Sequence, residues 1–378
     1  GLGTGDWGLR TEELLTFAEF MRQAVQTYYT APGRAPGRAG DFYTSVHVHP
    51  LFGAMLAAQL WEMWELLDRP APFTVVECGA GTGLLARDIL AEAARWPDFA
   101  AALRYVLVDV GDPPLPSLHV RRGEGAGRWG EDRFHALPDV TPRPIVGCVL
   151  SNEFVDALPV HRVRRVGGNL REVLVELDGD RFVEVLGEPS TPELAAYLAW
   201  SDITLAEGQE IEVNLAALCW LKEVAALLAR GFVLTIDYGY QATDLRAGRF
   251  PHGSLMAYRR HVAHTDLYQA VGEQDLTAHV NWTALMRRGE ELGLRLVGLT
   301  SQARFLLALG ILERAAAWGD DESQAARARR AAWQLVAPGG LGETFQVLIQ
   351  CTGLETPRLR GLADPYTPAN AGATHGSE

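Results

Sequence analysis

The segment Val75-Val76-Glu77-Cys78-Gly79-Ala80-Gly81-Thr82-Gly83 constrains this chain more than any other part of it. A short β-branched run ends there in an acid, three glycines follow at alternate positions, and Leu84 to Trp96 carries helical spacing. Glycines between a strand and a helix let backbone N–H groups approach a ligand closely, at the positive end of the helix. A strand of this kind is buried on both faces, which calls for a parallel sheet covered by helices. The spacing also sorts ligand classes. Leu84 stands where the dinucleotide fingerprint wants Gly or Ala, which weighs against a nicotinamide cofactor and an oxidoreductase. No Gly-Lys-Ser/Thr follows, so the loop is not a phosphate-cradling P-loop.

From Phe73 onward, strand-like runs alternate with helices: Thr74 to Glu77, Tyr105 to Asp109, Ile145 to Leu150 and Phe232 to Ile236, with helices at 84–96 and 215–229. This alternation predicts a doubly wound α/β sheet with ligands at the carboxyl ends of its strands. Residues 171–212 break the rhythm. Alternating Val173, Val175, Leu177 and Phe182, Val183, Val185 flank Asp178-Gly179-Asp180, the signature of a β-hairpin inside an insertion. Ahead of the sheet, the spacing predicts a helix over 11–29 behind a Thr11 cap. A Pro/Gly loop over 32–40 follows, then a helix from Pro50. Near the end, Asn281 and Gly293 bracket a short helix, Arg295 to Leu299 and Phe345 to Ile349 read as strands, and helices fill about 302–340. The organisation expected is an N-terminal helical extension with a covering loop at 1–72, an α/β domain at 73–352, and a disordered tail at 353–378.

Composition narrows the partners. A net charge of −13, with 34 basic against 47 acidic residues, disfavours a nucleic-acid surface, which needs clustered cations. No apolar run of about 20 residues suggests a membrane span. Cys78, Cys148, Cys219 and Cys351 are widely spaced, which reads as buried thiols of a reducing, cytoplasmic compartment. His47-Val48-His49 places two imidazoles on one strand face. With no third ligand at a sensible spacing, no metal is expected.

Acids mark the strand tips. Glu77 closes the first strand, where a carboxylate is costly unless it meets a ligand, a water or backbone donors. Asp109, followed by Val110, ends the second strand, in position to accept both hydroxyls of a ribose. Together they specify an adenosyl cofactor without a phosphate to cradle, the pattern of S-adenosylmethionine. Ile145 to Leu150 runs into Ser151-Asn152-Glu153-Phe154-Val155-Asp156-Ala157-Leu158-Pro159, which puts an amide, two carboxylates and an aromatic at the tip beside the glycine loop. Carboxylates there suit alignment of a nitrogen lone pair toward a transferable methyl, so Glu153 and Asp156 are the candidate catalytic groups. Asp237, in Ile236-Asp237-Tyr238-Gly239, and His279, in Asp275-Leu276-Thr277-Ala278-His279, are further catalytic candidates as walls of the substrate cleft, with turn formation by Asp237 and a structural role for His279 as the alternatives.

These motifs, in this order and with Gly40-Asp41-Phe42-Tyr43-Thr44-Ser45 and Phe52-Gly53 before them, resemble the MidA-like methyltransferase family over roughly residues 10 to 352. The resemblance implies a seven-stranded class I methyltransferase sheet with an N-terminal helical extension and a β insertion. It also implies a cofactor site of Asp41, Tyr43, Thr44, Glu77, Gly79, Ala80, Gly81, Thr82, Gly83, Asp109, Val110 and Asn152. Val46-His47-Val48-His49 departs from the family's Pro-Glu-Ile-Ser, so the pocket wall there differs. The activity implied is S-adenosylmethionine-dependent methyl transfer to a protein arginine or another nitrogen nucleophile. The alternatives are a small-molecule O- or N-methyltransferase and a non-catalytic cofactor-binding assembly protein, and a homodimer is compatible with any of them.

Overall fold

The computed structural model describes residues 14–30, 44–109, 144–260 and 262–366. Its centre is a seven-stranded sheet. The strands are β1 (Phe73–Cys78), β2 (Leu103–Val108), β3 (Ile145–Asn152), β4 (Leu228–Tyr240), β5 (Val280–Asn281), β6 (Arg295–Ser301) and β7 (Phe345–Thr352). Their order is β2-β1-β3-β4-β7-β6, with β5 paired to the end of β4. The strands β1 to β4 run parallel, while β7 is antiparallel to both of its neighbours.

The glycine-loop strand β1 is buried at every residue, because both faces of the sheet are covered. On one face Phe73 and Val75 join a core with α2 (Leu51–Leu66), α3 (Leu84–Ala93) and the helices 302–336. On the other, Val76 and Cys78 pack against helices 215–227 and 282–291. Alternation along one strand thus divides the apolar residues between two helical layers. The three central strands meet at a glycine seam. Gly147 of β3 lies opposite Thr74 of β1 and Gly231 of β4. A Cβ on Gly147 would stand 1.9 Å from the Thr74 carbonyl oxygen, and one on Gly231 2.0 Å from that of Gly147.

Two small sheets flank the carboxyl ends. The hairpin expected around Asp178 is present, with Asp178 opposite Arg181 across Gly179-Asp180. Its insertion begins earlier than 171: strand 161–166 already belongs to the five-stranded antiparallel sheet, with 169–178, 181–187 and 210–213. The fifth strand is Leu15–Thr16, so the expected helix over 11–29 starts late. Leu15 and Thr16 pair with Val175 and Leu174, and α1 runs over Phe17–Thr30. The reason is a capping box at Thr16. Its N–H donates to Glu19 Oε2 at 2.8 Å, while Glu19 N–H donates to its Oγ1 at 3.2 Å. A three-stranded sheet of 256–259, 262–264 and 275–277 completes the rim.

Three further expectations change. His47 and Val48 lie on a helical turn, Ser45–Val48, rather than a strand, and the extended His49 after it accepts at Nδ1 from Leu51 N–H at 3.1 Å at the start of α2. Cys219 is exposed on its helix, whereas the other three cysteines are buried, and all four are free. The segment 353–366, expected as disordered tail, packs on the body: Leu359 is buried and Gly361 N–H donates to Gln59 Oε1 at 3.2 Å. The packing at the glycine seam predicts that Gly147→Ala destabilises the protein by about 3 kcal/mol, the top of the usual overpacking range, because the atom it meets is backbone and cannot swing away. A urea melt that moves by less than about 1 kcal/mol would show that the strands separate freely.

Candidate cofactor and acceptor site

The loop after β1 is pinned to the end of β2. Gly79 and Ala80 donate their N–H groups to the Val108 carbonyl at 2.9 and 3.3 Å, and Gly81 N–H donates to Asp109 Oδ2 at 2.5 Å. Gly79, Gly81 and Gly83 sit at φ +73°, +52° and +72°, left-handed conformations that a side chain would strain. A Cβ on Gly79 would also come within 2.8 Å of the Phe154 ring. Thr82 is half-buried, Ala80 is buried, and Gly83 caps α3. Asp109 is therefore at the strand tip expected of it, with the added task of holding Gly81.

Glu77 points elsewhere than expected. Its carboxyl is 3% exposed and accepts the Tyr105 hydroxyl at 2.8 Å, across the β1–β2 pair. Burial pushes its proton affinity up to about 8, against the Tyr105 hydrogen bond and with the charge of Asp109 adding to the rise. At the neighbouring tip of β3, Ser151 Oγ and Asn152 Oδ1 are buried without a hydrogen-bond partner, and Ser151 lies opposite Cys78. Buried polar atoms of this kind ask for a ligand. With three left-handed glycines and the acid of β2, they fit an adenosyl cofactor laid across the ends of β1, β2 and β3.

The turn after β3 builds the second half of the site. Glu153 adopts φ +50°, rare for a side chain of its size, and its N–H donates to the Ile236 carbonyl at 2.9 Å. Its carboxylate is half-buried. It accepts from Asn152 Nδ2 at 3.2 Å and from the backbone of Ser45, and burial together with nearby Asp156 pushes it up to about 8. Ser45 also donates its hydroxyl to Gln302 Oε1 at 3.0 Å. Beside it Thr44 is buried, bonded through its hydroxyl to His47. The end of the expected covering loop is thereby tied both to the Glu153 carboxyl and to the helices after β6. Asp41, Tyr43 and Val110 lie outside the described residues.

Asp237 turns out to hold the turn in place. It is fully buried, and its Oδ2 receives the N–H groups of Phe154, Val155 and Asp156 at 3.3, 3.0 and 3.3 Å, while Oδ1 receives Tyr238 N–H at 2.9 Å. Burial and the Asp156 charge raise its proton affinity, and these N–H donors oppose the rise. Asp156 is 5% exposed, carries one oxygen, Oδ1, with no partner, and is pushed up to about 6 by burial against a Tyr238 hydrogen bond. His279 is wedged between the rings of Tyr238 and Phe250, each 5.0 Å away, and its N–H donates to Ser254 Oγ. Burial lowers its proton affinity, so it stands as a neutral wall. Among the described residues no group of three or more His, Cys, Asp or Glu could hold a metal ion.

A parallel sheet with one reversed strand, a left-handed glycine loop held by an acid at the next strand tip, and a carboxylate-rich turn after β3 define a class I methyltransferase that uses S-adenosylmethionine. The comparisons with known proteins agree. Residues 55–300 match the model of the family described as "Putative S-adenosyl-L-methionine-dependent methyltransferase", and the chain belongs to that family. The solved structure of a "likely methyl transferase" from Burkholderia thailandensis bound to S-adenosyl-homocysteine is 30% identical, covers 93% of this chain and 90% of its own, and superposes with a TM-score of 0.79. "Protein arginine methyltransferase NDUFAF7 homolog, mitochondrial" of Drosophila melanogaster is 28% identical over 90% of this chain and 82% of its own length. The human "Protein arginine methyltransferase NDUFAF7, mitochondrial" is 27% identical over 79% of this chain and 70% of its own. The MidA-like resemblance, the fold class and the cofactor expected from the sequence are thus shown.

Sequence reasoning passed over Tyr105, Ser45 and Tyr29. Tyr105 read as one more apolar strand residue, and only a phenol two residues before a strand-end acid on the next strand would have flagged it. The loop geometry predicts that Gly81→Val abolishes S-adenosylmethionine binding in calorimetry, and retained micromolar binding would reduce the loop to a turn. Glu77 generates a pH prediction. Its carboxyl binds its proton more tightly folded than unfolded, so its contribution to stability is complete below about pH 4.5 and is lost as pH rises toward 8. Glu77→Gln does not titrate, so its melting temperature relative to the parent should climb between pH 5 and 8 and then level off. A constant difference across that range would refute the raised proton affinity.

Proposed function

We propose that this methyltransferase places the methyl on a guanidinium nitrogen of a protein arginine, with Glu153 aligning the acceptor. The observation that carries this reading is the pairing of Glu153 with Asp156 at the tip of β3, two enclosed carboxyls of which Asp156 keeps an unpartnered oxygen. Among the described residues, the leading influences on each are burial, neighbouring carboxyls and hydrogen bonds, with no basic side chain among them. Buried carboxyls without a counter-ion are costly, and a cationic acceptor would compensate them. The names of the curated relatives support the same acceptor class. The three buried free thiols support a reducing compartment, which we take to be the cytoplasm.

S-Adenosylmethionine, when bound, supplies an electrophilic methyl whose bond to sulfur breaks as the new N–C bond forms, leaving S-adenosylhomocysteine. The chain's own contribution is positional. Glu153, fixed by its left-handed backbone and by Asn152 and Ser45, holds an N–H of the acceptor so that the lone pair points inward. The same carboxylate takes the proton that the nitrogen sheds, and positive charge brought in by cofactor and acceptor helps to keep it ionised. Glu153→Gln should leave cofactor affinity nearly unchanged and lower turnover of an arginine-containing peptide by about 10² or more. Full turnover in that variant would move the role to Asp156, and joint loss of cofactor binding and stability would make Glu153 structural.

A further inference from the structure

Beyond the turn after β3, a second set of polar groups faces Glu153 and Asp156, and it comes from parts of the chain that the methyltransferase sheet does not need. Tyr29 stands in the last turn of α1, and its hydroxyl donates to Asp275 Oδ2 at 3.1 Å. Asp275, 2% exposed, opens strand 275–277, and Tyr258 is its direct partner across the small sheet, so the two side chains share a face. The strand leads straight to the turn after β3: Ala278 N–H donates to the Asp156 carbonyl at 2.9 Å. The charges of Asp156 and Asp275 both act on the Tyr29 and Tyr258 hydroxyls, and that of Glu153 also reaches Tyr258. Glu153, Asp156, Asp275, Tyr29, Tyr258 and Tyr238 therefore cluster along one recess, and among them the Asp156 Oδ1 oxygen lacks a hydrogen-bond partner.

That recess has a chemical shape. Its carboxyls stand on two separate elements, with aromatic rings between them. A compact ammonium forms three hydrogen bonds around a point, whereas a guanidinium spreads five N–H donors in a plane and stacks on tyrosine faces. We propose that the Tyr29–Asp275 pair, with Tyr258 beside it, is the specificity-determining half of the acceptor subsite: it receives the guanidinium nitrogens that are not methylated, and so selects a planar cation over an ammonium. This rests on the acceptor reading of Glu153 given above. It assigns the N-terminal extension a part in choosing the acceptor, since α1 is locked against the insertion sheet by buried Phe17, Phe20 and Met21.

The test uses the full chain saturated with S-adenosylhomocysteine and measures, by calorimetry, the binding of N-acetyl-arginine amide, free arginine and N-acetyl-lysine amide. The parent should bind the arginine probes at least 10-fold more tightly than the lysine probe, and weaker binding of free arginine than of the capped amide would point to a peptide-borne acceptor. Tyr29→Phe, which keeps the ring, and Asp275→Asn should each remove most of that preference while S-adenosylhomocysteine affinity and melting temperature stay within error. If Glu153→Gln weakens the arginine probes but Tyr29→Phe and Asp275→Asn do not, this assignment is overturned and the acceptor reading stands. If the parent binds neither cation, or Glu153→Gln changes nothing, the acceptor reading falls and takes this assignment with it.

Discussion

One carboxylate oxygen holds the site together. Asp237 Oδ2 collects three consecutive N–H groups from the turn after β3, and its other oxygen takes the N–H of Tyr238. Three N–H groups converging on one oxygen tie the turn to β4, and losing that acceptor would leave them buried and unsatisfied. The consequence is geometric. Phe154 is held against the glycine loop, at the point where a Cβ on Gly79 would strike its ring, and Glu153 is forced into a left-handed backbone that aims it away from the strand. The glycine loop and the acids of the turn after β3 are thus set relative to each other by a residue of β4.

Much of this was legible in the sequence, and what was not had a physical reason. Strand-helix alternation gave the parallel sheet because each central strand is buried on both faces and reads as an apolar run. The glycine loop and the acid at the β2 tip were readable because the chemistry demands those residue types next to each other in sequence. Asp237 and Glu77 were recognised as unusual for the right reason, a carboxyl ending an apolar strand, yet their partners lie 83 and 28 residues away. Only the fold says whether such an acid meets a ligand, a phenol or a row of backbone donors. The α1 boundary failed for a related reason. Helical spacing continues backward through Leu14 and Leu15, while the pairing of Leu15 with Val175 depends on a strand that the sequence places 160 residues later.

The carboxyls gathered at the turn after β3 repel one another. Glu153 is pushed up to about 8, Asp156 to about 6, and Asp237 is raised as well. Around neutral pH, part of this set keeps its protons, which limits the repulsion that full ionisation would impose. Cations change that balance. On the arginine reading proposed above, the sulfonium of the cofactor and a charged acceptor would favour the ionised forms, which would couple binding to proton release.

The same reasoning explains why the extension and the insertions are attached where they are. On the acceptor reading proposed above, the sheet alone supplies Asn152, Glu153 and Asp156 on one side of the acceptor position. Its other side would open to water, where a carboxylate is fully solvated and aligns nothing. Tyr29 from α1, Tyr258 and Asp275 from the small sheet, and Ser45 ahead of α2 close that side, and Ser45 is itself bonded to Gln302 in the helices after β6. The five-stranded sheet gives α1 a place to stand, through the Leu15–Thr16 strand and the Phe20–Phe182 ring contact at 5.1 Å. On that reading each accessory element carries or supports part of the acceptor subsite.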